Sequence, residues 1–159
     1  MIRIATKEDI PRLSEILVFA KRAAYRSIFQ NDFVSFNVIT VFNVAKDFET
    51  ERKIDNIFVF VEDEIIKGLL TFEVEDKKFI IKELYIDPFF QKEGIGSQLL
   101  NYAKTYAKTE KMAEIFLWVL EKNSFAIDFY KGKGLIPTGD RKEFATTGQY
   151  IVGYSLRLN

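Results

Sequence analysis

The stretch FFQKEGIGSQLL, Phe89–Leu100, sets two glycines one residue apart between a β-rich run and an amphipathic helix. Gly94 and Gly96 admit several readings. A tight strand-to-helix turn uses glycine for backbone conformations that other residues avoid. A dinucleotide-binding GxGxxG would need a third glycine where Leu99 stands, and a Walker loop is excluded because no Gly-Lys-Ser or Gly-Lys-Thr follows. A more general use remains. Small residues at a helix N-terminus let backbone N–H groups approach an anion, and the helix dipole there also favours negative charge. A pyrophosphate fits that description.

On the N-terminal side of this turn, NIFVFVEDEIIKGLLTFEVEDKKFIIKELYID reads as a meander of three antiparallel strands, Phe58–Val61, Ile65–Val74 and Phe79–Ile86. On the C-terminal side, Leu99, Leu100, Ala103, Tyr106 and Ala107 share one face of a helix from about Gly96 to Lys108. The apolar run EIFLWVL, Glu114–Leu120, follows as a buried strand, with Trp118 expected in the core. Strand, helix and strand make a crossover.

Further out, MIRIA is a short first strand, and Ile10, Leu13, Ile16, Leu17, Ala20 and Ala24 recur at helical spacing. Asp9 or Thr6 caps that helix, Pro11 falls in its first turn, and Gln30–Asp32 ends it. Between Phe33 and Asn56 the pattern blurs, with Phe36, Ile39, Val41, Phe42, Val44 and Phe48 suggesting one or two short helices. The helix SFAIDFYKGK, the strand-like GLIPT, a polar loop with TTG and the strand QYIVGYSLRL complete the order. No repeat or linker interrupts it, and 159 residues suit a single domain, 1–159, with one core.

Composition excludes several classes of function. Lys plus Arg is 23 and Asp plus Glu is 23, so the chain lacks the positive field that nucleic acid or an anionic membrane would use, and neither is expected as a partner. The charged opening MIRIATKED is unlike a signal peptide and no run reaches membrane-spanning length, which leads to the expectation of a cytoplasmic protein. There is no Cys and no His. That removes thiolate nucleophiles, Ser-His-Asp triads and imidazole or thiolate metal sites, and no metal is expected. Catalysis, if present, must use carboxylates, Tyr, Lys, hydroxyls or backbone amides. Such groups suit a reaction whose electrophile arrives already activated.

ELYIDPFFQKEGIGSQLL resembles the acyl-CoA-binding signature of the GNAT N-acetyltransferases, in which Gln or Arg is followed at fixed spacing by Gly and by Gly or Ala. Here those positions are Gln91, Gly94 and Gly96. NSFAIDFYKGKGL, Asn123–Leu135, is similar to a later motif of the family, in which an Asn opens a helix ending in Phe-Tyr, and IRIATKEDIPRL resembles its first strand and helix. Two departures stand out. Leu135 replaces the usual Phe, and Lys92 and Glu93 occupy positions where glycine or a basic residue is common, so that Glu93 brings a carboxylate towards the pyrophosphate.

The resemblance implies an α/β (α+β) fold: a mixed, mostly antiparallel twisted sheet of about six or seven strands, flanked by about four helices, with a V-shaped splay between two central parallel strands. It implies acetyl-CoA as cosubstrate and a primary amine as acceptor, attacked directly in a ternary complex. Backbone groups of Gln91, Lys92, Glu93, Gly94, Ile95, Gly96 and Ser97 would hold the pyrophosphate, and the strand edge Leu84, Tyr85 and Ile86 would pair with the pantetheine amides. A backbone amide of Leu84 or Tyr85 would serve the oxyanion. Asn123 would contact the cofactor, besides capping its helix. Tyr130 matches the residue that protonates the departing thiolate, or it is an aromatic packed on the core.

Glu83 sits mid-strand, where an ionised group is out of place unless partnered or used, and alternation sets it on one face with Tyr85. It is either the base that takes the acceptor's proton, directly or through water, or a salt-bridge partner of residues around Lys82. Tyr25, Phe29 and Phe33 are candidates, with Glu83, for the acceptor wall, ordinary core packing being the alternative. Acids at Asp32, Asp47, Glu49, Glu51, Asp55, Glu62, Asp63 and Glu64 suggest a cationic acceptor such as a polyamine or a Lys-bearing peptide. A homodimer is compatible with the resemblance. The alternative of another class is a non-catalytic acyl-CoA-binding sensor, and a remote third is a nucleotide-binding fold using the same glycines.

Overall fold

The computed structural model describes residues 1–159. Seven strands form one sheet in the order β1-β2-β3-β4-β5-β7-β6. They are β1 Ile2–Ile4, β2 Ile57–Glu62, β3 Ile65–Glu75, β4 Lys78–Ile86, β5 Glu114–Leu120, β6 Ile136–Glu143 and β7 Tyr150–Arg157. The helices are α1 Ile10–Phe29, α2 Val41–Thr50, α3 Ile95–Thr109 and α4 Ser124–Gly132. This is the expected architecture, and each strand of the meander falls within a residue or two of its predicted bounds. The blurred stretch resolves into a π-helical turn, Val34–Val38, and α2, whose N-cap Thr40 accepts from the Asn43 N–H at 3.2 Å.

Two compact units divide the chain: Met1–Thr71 with Glu83–Tyr102, and Phe72–Lys82 with Ala103–Asn159. The core of the first unit joins one face of α1 (Leu13, Ile16, Leu17) to Phe48 of α2 and to Ile57, Val59 and Leu69 of the strands. Each such side chain, removed from water, contributes about 1.5–3 kcal/mol. Ala24 is exposed, because the apolar stripe of α1 leaves the core after Ala20. Asp9 does not cap α1 with its side chain. Arg3 donates to it at 2.7 and 2.9 Å and the Thr6 N–H at 2.8 Å, so Asp9 instead closes the capping box opened by Thr6. Gln30 ends the helix in a left-handed conformation, φ 50°.

In the second unit, β4 and β5 run parallel over Lys78–Ile81 and Glu114–Leu117, and their ladder ends there. Phe72 stacks on Phe79 at 4.5 Å, and Tyr106 of α3 packs against both. Ile115, Leu117 and Val119 are buried on one face of β5. Trp118, expected in the core, lies on the opposite face instead, half-buried, edge-on to Phe116 and beneath the Lys142 ammonium at 4.5 Å from its ring. Strand alternation decides this, since Trp118 is out of phase with the three buried residues. Gly153 opposes Trp118 in the register, and a Cβ there would meet the Phe116 ring at 3.1 Å and the Thr138 hydroxyl at 2.5 Å.

Candidate active site

The turn from β4 into α3 is held at its start by Asp87. This carboxylate is buried, accepts from the Phe89 N–H at 2.9 Å, and is paired with Arg12 of α1 at 2.6 Å. Arg12 also donates to the Ile66 carbonyl at 3.1 Å, so a single guanidinium ties α1 to β3 and to the end of β4. Lys92 and Gly94 then adopt left-handed backbones, φ 67° and 79°. A Cβ at Gly94 would meet nothing within 4 Å. Its glycine therefore answers a backbone requirement, while leaving the space in front of the turn open.

Helix α3 begins at Ile95, one residue earlier than the spacing suggested, so Gly96 lies in its first turn. Its first amides are among those that an α-helix leaves without an intrahelical partner. Gly68 explains how the helix start is seated. A Cβ on this β3 residue would lie 2.7 Å from Ile86 Cδ1, 3.2 Å from Ile95 Cγ2 and 3.2 Å from the Tyr85 carbonyl oxygen. Only a bare backbone lets Ile95 pack this close to β3 and β4. Glu93 is exposed; the Lys67 ammonium is held above the usual lysine range by the hydrogen bond it donates to Glu62, against burial, with the charges of Glu62 and Glu93 adding to it. The donor set therefore suits an anionic ligand: backbone N–H groups at a helix head, a left-handed turn without a Cβ in front of it, and Glu93 turned to solvent.

Glu83 stands within the same unit, its side chain only 12% exposed. It receives an ion pair from Arg52 Nη1, a second contact from Arg52 Nη2 at 3.3 Å, and the Thr71 hydroxyl at 3.0 Å. Lys21 Nζ lies 3.6 Å away. Glu83 thus has ion-pair partners, but not the ones expected around Lys82. They come from α1 and from the segment after α2, while Lys82 pairs with Glu73. Burial pushes the Glu83 carboxyl up, but the Arg52 hydrogen bond and charge, Lys21 and Thr71 outweigh it and hold the group below the usual carboxylate range. Burial likewise opposes the Arg52 charge, and Glu83 with Asp47 more than restores it.

Beside this cluster the hydroxyls of Tyr25 and Tyr85 are 2.9 Å apart. Burial raises Tyr25, the hydrogen bond with Tyr85 opposes that, and the nearby Glu83 charge adds to it, so Tyr25 stays protonated at neutral pH. Phe29 meets Tyr25 edge-on at 6.0 Å, whereas Phe33 is 70% exposed. Of the proposed acceptor wall, Tyr25 and Phe29 are brought together with Tyr85 of β4. Among the acids thought to attract a cation, Asp32, Asp47 and Glu62 are taken by Arg26, Arg52 and Lys67. An open groove of about 740 Å³ along the far half of α1, lined by Arg22, Arg26, Gln30 and Phe36 among others, shares no residue with the Glu83 cluster.

In the second unit, Asn123 caps α4 by accepting from the Ala126 N–H at 3.2 Å. Tyr130 is buried near the end of α4, edge-on to Phe129 at 5.3 Å, and its backbone carbonyl accepts from Lys133 and Leu135. Sequence reasoning missed Lys21, Arg52, Thr71, Arg12 and Gly68. The i, i+4 spacing of Lys21 and Tyr25 on α1 was the one available signal, since it puts both on the same helix face.

The comparisons with known proteins bear on the fold and the family. An uncharacterized N-acetyltransferase of Methanocaldococcus jannaschii is 44% identical over 54 residues, which are 34% of this chain and 24% of that protein. The chain thus spans about a quarter of the length of that curated relative. The N-acetyltransferase PaiA of Thermoplasma acidophilum, solved with coenzyme A, superposes with TM-score 0.74 at 19% identity over 96% of both chains. The ribosomal-protein-S18-alanine N-acetyltransferase of Escherichia coli gives 0.76 at 15% identity, over 100% of this chain and 94% of that one. At such identities these two likenesses speak for the fold. The acetyltransferase (GNAT) family model matches residues 22–135, from the middle of α1 through α4, and so takes in the Glu83 strand, the glycine turn and the Asn123 helix: the chain belongs to the GNAT family.

Proposed function

We propose that this chain is an acetyl-CoA-dependent N-acetyltransferase, one catalytic domain over residues 1–159, that transfers an acetyl group to a primary amine in a ternary complex. The observation that carries the reading is the placement of Glu83, ionised and surrounded by polar groups, on the strand that leads into the glycine turn at the head of α3. Membership of the GNAT family and the coenzyme A-bound Thermoplasma structure support acetyl-CoA as the cosubstrate. In this reading the Gln91–Ser97 backbone holds the pyrophosphate, Leu84–Ile86 meets the pantetheine, and the amide of Leu84 or Tyr85 faces the oxyanion. Asn123 contacts the cofactor and Tyr130 protonates the thiolate as it leaves.

The magnitudes decide how Glu83 acts. An ammonium of pKa ~10.4 passing its proton to an ordinary carboxylate of ~4.3 climbs about 6 units, or about 8 kcal/mol. Glu83 is held lower still, so that step is steeper here. Release of the same proton to bulk water at about pH 7.4 climbs about 3 units, or about 4 kcal/mol. The acceptor therefore enters as the neutral amine. Glu83 then receives, through water, the proton shed as nitrogen bonds to the thioester carbon. The acceptor is a small amine, a polyamine or a peptide, and the pairing of Asp32, Asp47 and Glu62 within the chain weakens the case for a polycation.

The saturation of Glu83 by Arg52, Lys21 and Thr71 is the one observation that favours a non-catalytic acyl-CoA sensor. Calorimetric titration with acetyl-CoA, with NAD in parallel, followed by an amine screen for CoA release, separates the readings. Binding near micromolar, about −8 kcal/mol, with amine-dependent turnover supports the enzyme. Binding without turnover for any amine supports the sensor, and binding of NAD alone overturns both.

A further inference from the structure

Lys21 offers the site a primary amine from the chain's own α1. Its Nζ lies 3.6 Å from Glu83 Oε1, its side chain is 26% exposed, and no other lysine is paired with Glu83. The other lysine ion pairs lie elsewhere: Lys67 with Glu62, Lys78 with Glu114, and Lys82 with Glu73. Lys104 donates to the Lys133 carbonyl at 2.7 Å. We propose that Lys21 is an acetylation site of the protein itself, modified from its own bound acetyl-CoA when no acceptor is present. This rests on the functional reading above.

The chemistry balances with acetyl-CoA alone. The Lys21 ammonium loses one proton to solvent, and the neutral Nζ attacks the thioester carbonyl. A C–N bond forms and the C–S bond breaks. The second proton leaves nitrogen towards Glu83 and water, and the thiolate departs to be protonated as free CoA. The product is an uncharged amide. It removes one of the two cations on Glu83, leaving Arg52 and Thr71, and it replaces a compact ammonium by an acetylated side chain one helical turn before Tyr25, whose hydroxyl pairs with that of Tyr85.

The test is incubation of the full chain with acetyl-CoA and no amine, read by CoA release and by mass spectrometry of the intact chain and its peptides. Expected is a burst of one CoA per chain that then stops, with the acetyl group mapped to Lys21. The burst is absent in Lys21→Arg and slowed about 10²-fold or more in Glu83→Gln. An unmodified Lys21 in a protein that binds acetyl-CoA or turns over an added amine overturns this inference and leaves the functional reading standing. So does acetylation spread over many lysines at the same rate in Glu83→Gln, which is reagent chemistry. Absence of both binding and turnover overturns the functional reading and the inference together. Unchanged acetyl-CoA affinity in Lys21→Arg shows that the variant is folded.

Discussion

The turn into α3 and the Glu83 cluster lie in the same compact unit, yet they are built on different principles. The turn is local. From Asp87 to Ser97 it is made of consecutive residues, and its character comes from backbone: two left-handed conformations, a helix head and a missing Cβ. The Glu83 cluster is assembled from Lys21, Arg52, Thr71 and Glu83, drawn from three separated segments besides β4 itself, and its character comes from side-chain charge. The difference teaches that a turn whose character comes from backbone is written in consecutive letters, whereas an electrostatic cluster is written across the whole unit. Substitutions should therefore separate them, one moving affinity and the other moving turnover.

Glu83→Gln is expected to give the largest effect. It should lower kcat by about 10²–10⁴-fold while the acetyl-CoA Kd stays within about twofold, because the backbone cradle is untouched. A matching loss of affinity would dissolve the distinction between the two regions. Next comes Arg52→Ala, which leaves the shielded Glu83 with only Lys21 and Thr71. Breaking a buried pair costs about 3–5 kcal/mol, and the 25% exposure of Arg52 reduces that to about 1–3. Urea unfolding measures it.

The pH dependence has a definite sign. Arg52 holds the folded-state Glu83 carboxyl below its ordinary 4.5, so the stability it contributes is complete above about pH 4.5 and is lost as pH falls towards the folded value. Asp9 with Arg3 behaves in the same way from its ordinary 3.8. Unfolding free energies measured from pH 7 down to pH 3 should fall over that window, and less steeply in Arg52→Ala.

Gly68→Ala tests the seating of α3. Its added Cβ displaces Ile86 and Ile95 and presses on the Tyr85 carbonyl oxygen, so about 1–3 kcal/mol of stability should be lost. Gly94→Ala is gentler, since its Cβ meets nothing and only the left-handed backbone resists. About 1–2 kcal/mol of folded-state stability should be lost, and relaxation of the turn that relieves this strain in the free protein should reappear as up to a roughly tenfold weaker acetyl-CoA Kd with kcat unchanged. Stopped-flow and steady-state measurements on this variant beside Glu83→Gln give the two opposite patterns directly.

The same contrast explains what could be read from the sequence. Strand alternation fixed the meander and put Glu83 and Tyr85 on one face, and α1 meets that face through Lys21 and Tyr25. The Gly94 turn and the Asn123 cap were legible because each is satisfied within a few residues. Arg52 was not, since it follows α2 in the weakly patterned stretch and finds Glu83 only after the chain has folded over 31 residues. Nor was Gly68, which looked like an ordinary strand residue until Ile86 and Ile95 closed on it. Trp118 misled because composition favours burying an indole, while the register of β5 faces it away from Ile115 and Leu117.

The most direct measurement of the central claim is acetyl-CoA turnover against a panel of primary amines, with the wild-type chain beside Glu83→Gln and free CoA as the readout. The account predicts amine-dependent CoA release by the wild type and its loss in the variant at equal acetyl-CoA occupancy. CoA release that is equal in both proteins, or absent from a wild type saturated with acetyl-CoA, would contradict it.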